Sequence, residues 1–205
     1  MNWTSIYFKT ENSNVFILGT GEVATRRAHK FLDHGANVVL VGNHLDNQLK
    51  QKGATLKNSS EIDKLVEWAD IVVIASGDVE LSDYVSKIAS DKLINRADYP
   101  EKGNVIVPNS FYVGDVEISI FTGSKSPLIS KYLRKKIQSI ITEEDIVKIK
   151  LQDYSRKLLK NTIDNQKTRK ELLYKLFNDE TINDLIKQGN VQEAKVYIEN
   201  FISNI

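Results

Sequence analysis

The feature that most constrains this chain is a run of four apolar residues, Val15-Phe16-Ile17-Leu18, that stops at Gly19-Thr20-Gly21-Glu22-Val23-Ala24 and passes straight into a helical pattern. A short continuous apolar run ended by glycine suits a strand buried on both faces, as in a parallel sheet. Ala24, Ala28 and Phe31 then recur at helical spacing, with Leu32 beside them and Gly35 as a stop signal. A strand, a G-x-G-x-x-A turn and a helix thus arrive in the order that a dinucleotide site requires. Gly19 permits the tight turn, Gly21 lets backbone approach a pyrophosphate, and Ala24 allows close contact between helix and strand. The competing reading is a strand-to-helix turn whose glycines serve only positive φ.

The same alternation continues for about a hundred residues. Val38 to Val41 is a second apolar run, Glu61 to Trp68 a short helix, Asp70 to Ser76 another buried strand and Val79 to Asp91 a further helix. Leu93-Ile94 begins one more strand, which ends at the turn Asp98-Tyr99-Pro100. This pattern predicts an α/β fold with a Rossmann-like parallel sheet over residues 1–107. After Pro108 the period changes. Val116, Ile118 and Ile120 alternate with Glu117 and Ser119, as in a strand with one wet face that is antiparallel or at an interface. Residues 108–142 are therefore read as a small α+β segment, and 143–205 as a helical domain of three or more amphipathic helices divided near 164–166 and 189–190.

Composition removes several function classes. The chain has 205 residues and no cysteine, which excludes disulfides, thiolate metal sites and cysteine nucleophiles. His29, His34 and His44 lack the spacing of a metal cage, so no metal is expected. With 28 basic against 27 acidic residues, no global field draws in nucleic acid or an anionic membrane. The first residues lack the apolar core of a signal peptide and no apolar stretch approaches the roughly 20 residues of a membrane span, so a cytoplasmic protein is expected.

Three further places could carry chemistry. At the end of the second strand, where an acidic ribose ligand is usual, stand Gly42-Asn43-His44. Asn43 can hydrogen-bond a hydroxyl, and no Arg or Lys is expected nearby to neutralise a 2′-phosphate, which favours NAD over NADP. A solvated loop is the alternative there. Asp98 sits at the carboxyl end of a strand, the edge where open α/β sheets bind ligands, and could accept a proton as general base or simply shape the turn before Pro100. Finally, residues 118–142 hold Lys125, Lys131, Arg134, Lys135 and Lys136 and no acidic residue. Ser126 suits an N-cap and Pro127 the first helical turn, so amides, hydroxyls and Lys125 would meet at a helix N-terminus suited to an anion, unless the basic residues form only a solvated face.

These residues resemble a known family, the precorrin-2 dehydrogenases that form the oxidase part of siroheme synthases. Val15 to Arg27 is similar to its opening strand, glycine turn and basic helix start. Ile94-Asn95-Arg96-Ala97-Asp98-Tyr99-Pro100 is similar to its Asn-x-x-Asp-x-Pro segment, and Phe121 to Pro127 followed by Leu133-Arg134 is similar to its S-x-G-G-x-S-P stretch, with Thr122 where some members have serine and Ser124 where many have glycine. Ile186 to Phe201 resembles its closing helical region. The resemblance implies oxidation of precorrin-2 to sirohydrochlorin with NAD as cofactor, and Asp98 as the catalytic aspartate. It implies dinucleotide contacts at Glu22, Val23, Asn43 and His44, to which Gly19, Gly21 and Ser76 are added. Asn95, Arg96, Thr122, Ser124, Lys125 and Ser126 are assigned to the substrate, a polycarboxylate tetrapyrrole. It further implies a homodimer formed through residues 116–141. Some relatives also insert Fe²⁺ into sirohydrochlorin, but no methyltransferase fusion and no histidine in the matched active-site segments are present, so dehydrogenation alone is expected. An NAD-sensing regulatory module is the remaining alternative.

Overall fold

The computed structural model describes residues 3–205, which fall into two compact units divided after Val107. The first is built on a five-stranded sheet. Its strands are β1 (Asn14–Leu18), β2 (Asn37–Val41), β3 (Thr55–Lys57), β4 (Ile71–Ile74) and β5 (Leu93–Arg96), in the spatial order β3-β2-β1-β4-β5. Every pairing is parallel, with Val15 opposite Val38 and Ile71, and Ile74 opposite Arg96.

The period of two explains why both faces are covered. Val15 and Ile17 face a core shared with Ala24, Ala28 and Phe31 of α1 (Glu22–Asp33) and Leu49 of α2 (Asn47–Gln51). Phe16 and Leu18 face the opposite core, with Ile62, Leu65 and Val66 of α3 (Ile62–Trp68) and Val85 of α4 (Val79–Ile88). A strand that buries successive side chains on opposite faces needs an apolar residue at every position, which is the run seen in the sequence.

The predicted strands and helices are present, with α4 three residues shorter than its pattern and Ser59–Glu61 forming a 3-10 turn before α3. In this first unit one helix and one strand were not foreseen. α2 spans five residues, and all three residues of β3 are exposed, so neither carries an apolar signal. α2 is instead set by Asp46, whose carboxylate accepts from Gln48 and Leu49 N–H.

The free edge of β5 is covered by the chain that follows it. Asn104 Oδ1 accepts from Ile94 N at 2.6 Å, its Nδ2 donates to Lys92 O at 2.8 Å, and Asn95 Nδ2 donates to Val105 O at 2.9 Å. Asn104 N and Val105 N also donate to Ile94 O, each at 3.0 Å, so main-chain and side-chain amides together stand in for a sixth strand and close an edge that would otherwise offer unpaired backbone.

The second unit, Pro108–Ile205, opens with an antiparallel hairpin of β6 (Asn109–Val113) and β7 (Val116–Ile120); β7 is the strand that the alternation predicted, and β6 was not foreseen. Five helices follow: α5 (Pro127–Ile140), α6 (Glu143–Thr162), α7 (Gln166–Phe177), α8 (Glu180–Lys187) and α9 (Val191–Ser203). The last four surround one apolar core centred on Leu151, Leu159, Leu176 and Ile198. Thr142 and Asp145 form a reciprocal capping box that starts α6. Among the described residues no helix is long and apolar enough to cross a membrane.

Candidate functional site

Because all five strands run the same way, the loops after β1, β2 and β4 and the turn after β5 leave from one edge of the sheet. Between β1 and β4 the chain turns to opposite sides, the place where open parallel sheets leave a crevice. A cleft of about 780 Å³ lies along this edge, within the size range of small-molecule sites. Gly19, Thr20, Gly21, Gly42, Asn43, Lys57, Asn58, Ser76 and Asp78 line it.

The two motif glycines have different causes. Gly19 has φ +116°, and a Cβ there would stand 2.3 Å from the carbonyl oxygen of Ala75, so both conformation and space demand glycine. Gly21 has an ordinary φ of −77°, and a Cβ would meet nothing within 4 Å. Neither turn geometry nor packing requires glycine at 21. What the missing side chain leaves is room beside the first turn of α1, where free amides and the helix dipole favour a phosphate. The residues present therefore fit a dinucleotide pyrophosphate.

Thr20 ties two loops together. Its hydroxyl accepts from Asn43 N at 3.2 Å, and its side chain fills the space next to Gly42, where a Cβ would sit 2.6 Å away. Ser76 Oγ accepts from Asp78 N, and Asp78 caps α4 through Leu81 N. Of the cofactor contacts expected from sequence, Gly19, Gly21, Asn43 and Ser76 line the cleft. Glu22 and Val23 begin α1 immediately after it, while His44 is exposed one residue beyond Asn43 and does not line it. Thr20, Gly42, Lys57, Asn58 and Asp78 also line it and were not assigned to the cofactor from sequence. The expectation that no lysine lies near Asn43 is corrected: β3 pairs with β2 so that Lys57 stands opposite Val41, two residues before Asn43. Sequence distance concealed this because the intervening residues form α2 and a strand too short to announce itself.

At the end of β5 the charges are concentrated. Arg96 has no exposed side-chain surface, yet each donor group finds oxygen. Nε donates to Asp98 Oδ1 at 2.8 Å and Nη2 to Asp98 Oδ2 at 2.6 Å, while Nη1 reaches Asp83 Oδ1 at 2.8 Å and Ser82 O at 3.4 Å. Burial pushes the Asp98 carboxyl up, but the bidentate Arg96 contact and the backbone amides of Tyr99 and Asp98 outweigh it and hold the group below the usual aspartate range. The hydrogen bonds to Asp98 likewise raise Arg96 against its own burial. Asp98 is thus ionised and oriented, with 18% of its side chain exposed. Arg96, with every arm committed inside the unit, does not present its guanidinium to solvent. Asn95 is 2% exposed, and its Oδ1 has no partner among the described residues.

In the second unit Ser126 caps α5 by accepting from Ile129 N at 3.2 Å, with Pro127 in the first turn, as expected. Thr122 Oγ1 donates to Ser126 O at 3.4 Å and lies 3.2 Å from Ser130 Oγ, so its hydroxyl organises the loop. Ser124 adopts φ +60°, a conformation that glycine takes more readily, and Lys125 is exposed beside it.

A parallel sheet of this order, with a glycine cradle at the crevice beside its central strand, defines a nucleotide-binding protein of the Rossmann-like class; a family model described as "Putative NAD(P)-binding" matches residues 6–109. The chain belongs to the precorrin-2 dehydrogenase family. It is 31% identical over 193 residues to a precorrin-2 dehydrogenase of Methanosarcina barkeri, covering 88% of this chain and 85% of that protein. It is 28% identical over 202 residues to a precorrin-2 dehydrogenase of Priestia megaterium, covering 94% and 98%. The solved structure of SirC, a precorrin-2 dehydrogenase, matches 97% of this chain and 100% of its own with a TM-score of 0.77 at 23% identity, which shows a shared fold.

Proposed function

We propose that this chain oxidises precorrin-2 to sirohydrochlorin in a cytoplasmic route to siroheme or a related tetrapyrrole, with NAD rather than NADP as oxidant. The reading rests on near full-length likeness to proteins that carry this activity, and on one observation above others: Gly21 has no backbone or packing reason to be glycine, yet its side-chain space opens where a pyrophosphate would lie. NAD, when bound, supplies the hydride acceptor.

The chain's own residues supply the rest. The amides at the start of α1 and the cradle of Gly19 and Gly21 hold the phosphates; Asn43 and Ser76 in the cleft position the remainder of the dinucleotide, flanked by Glu22 and Val23 at the start of α1 and by His44 next to Asn43. Hydride loss leaves positive charge on the macrocycle and protons to be shed. A carboxylate kept ionised by Arg96 suits the stabilisation of that charge, and Asp98 then takes a proton at one oxygen as its Arg96 bond loosens. Arg96 acts through Asp98, with Asn95 beside it. Substrate carboxylates are met by Lys125, the Ser124 and Ser126 hydroxyls and the basic face of α5, with Thr122 shaping that loop. A homodimer through residues 116–141 would cover Leu128 and Ile140 of α5, which are 75% and 63% exposed.

The experiment is spectroscopic. Precorrin-2 and NAD are mixed with the protein; appearance of NADH absorbance together with the sirohydrochlorin spectrum is expected, and neither appearing would refute the assignment.

A further inference from the structure

The cleft contains a cation that the dinucleotide fingerprint does not account for. Lys57 ends β3 opposite Val41, so its backbone lies beside the strand end where dinucleotide sites of this class usually place their ribose ligand. That ligand is an acidic residue in most such sites, and here the position is Gly42-Asn43. An unshielded ammonium at this place would attract a ribose 2′-phosphate.

It is not unshielded. Lys57 Nζ lies 3.2 Å from Glu61 Oε1, and Glu61 is itself fixed because its Oε2 accepts from Asn58 N at 3.1 Å while Asn58 Oδ1 accepts from Ser60 N. This capping box ties the carboxylate to the backbone of the 3-10 turn, so Glu61 is positioned whether or not Lys57 is present. Asp78, the carboxylate lining the opposite side of the cleft, is occupied with the α4 cap and lies on a different loop.

We propose that Lys57 and Glu61 together set the choice between NAD and NADP, Lys57 facing the 2′ position of the adenosine ribose and Glu61 cancelling its charge so that a 2′-phosphate gains nothing there. The inference rests on the dinucleotide reading of the cleft and adds to it the element that discriminates. It also predicts opposite effects for the two members of the pair. Removing the negative charge favours NADP; removing the positive charge leaves Glu61 to repel it. An exposed lysine–glutamate pair with only a local structural role would do neither.

The test is calorimetric titration of the full chain with NAD and, separately, NADP. Glu61→Gln keeps an oxygen to accept from Asn58 N but carries no charge. It should lower the ratio of NADP to NAD dissociation constants by about tenfold, the scale of one charge-assisted hydrogen bond, chiefly through tighter NADP binding. Lys57→Gln should raise the ratio, and the double variant should return it near the wild-type value. The Glu61→Gln effect should shrink at high salt, since both groups are partly exposed. Thermal melts establish that the variants are folded. If wild type binds neither dinucleotide, the cleft reading itself falls and this inference with it. If both bind but the ratio moves less than about twofold in folded Glu61→Gln, or moves the same way in both single variants, the dinucleotide reading stands and the discriminating pair is overturned.

Discussion

Replacing Asp98 with asparagine removes one of the two carboxylates that balance Arg96, a guanidinium with no exposed side-chain surface. Breaking a buried ion pair by deleting one partner typically costs about 3–5 kcal/mol, because the remaining charge is left uncompensated. Three features reduce that here: Asp83 still holds Nη1 at 2.8 Å, the asparagine carbonyl can keep one of the two lost hydrogen bonds, and Asp98 is 18% exposed so water can reach it. A loss of about 2 kcal/mol follows, or a fall in Tm of roughly 5–10 °C for a unit of this size. The pH dependence carries the sign. The Asp98 carboxyl titrates lower in the folded chain than unfolded, so its contribution is fully present above the ordinary aspartate value of about 3.9 and fades as pH falls below it through the folded value. The gap between wild type and Asp98→Asn should therefore be constant near neutrality and close in acid. Denaturant melts of both proteins at pH 7 and at stepwise lower pH measure this, and steady-state NADH formation with saturating precorrin-2, well below either Tm, measures chemistry. There kcat should fall by about 10²–10⁴-fold with NAD affinity retained. A variant as stable as wild type within about 0.5 kcal/mol, a common span for inert surface changes, would refute the structural argument. A folded, NAD-binding variant within about threefold of wild-type kcat, far short of a base's usual contribution, would refute the catalytic one.

Gly21→Asp should fold normally, since φ and space both accept a side chain, while losing NAD affinity in calorimetry through charge and bulk next to the pyrophosphate; retained affinity would move the phosphate site elsewhere. Leu159→Ala, at a fully buried position in the helical core, should cost about 2–5 kcal/mol in a denaturant melt, and a negligible loss would show that core to be loosely packed. Wild-type kcat/KM should be higher with NAD than with NADP, and a clear NADP preference would overturn the reading of Lys57 as neutralised.

How far the sequence could be read depended on how much apolar pattern each element carried. β1, β2 and β4 were legible because a strand buried on both faces writes an uninterrupted apolar run, and α1 because Ala24, Ala28 and Phe31 fall on one stripe. β7 was legible from the alternation over Val116–Ile120, but its partner β6 was not. β3 was not, since Thr55, Leu56 and Lys57 are all exposed and only pairing with β2 makes them a strand. That omission hid Lys57 from the cleft. The position of Asp98 at the carboxyl edge followed from strand direction, but its bond to Arg96 did not, because residues two apart on a strand point to the same side only while the strand lasts. The joining of Asp83 to the same guanidinium depends on packing of α4, which no local pattern encodes.

The closeness of Gly19 to Ala75 has a genetic consequence. Most destabilising changes can be relieved by trimming the side chain that clashes, but the atom a Cβ would meet at 2.3 Å is a main-chain carbonyl oxygen, present whatever residue occupies 75. Shortening Ala75 to glycine leaves that oxygen in place. Moving it means shifting main chain next to the bond from Ala75 N to Leu18 O at 2.9 Å, which joins the ends of β1 and β4. In a selection for second-site suppressors of Gly19→Ala, global stabilisers could raise the amount of folded protein but would not rebuild the loop, and restored activity should come from codons that return glycine at 19.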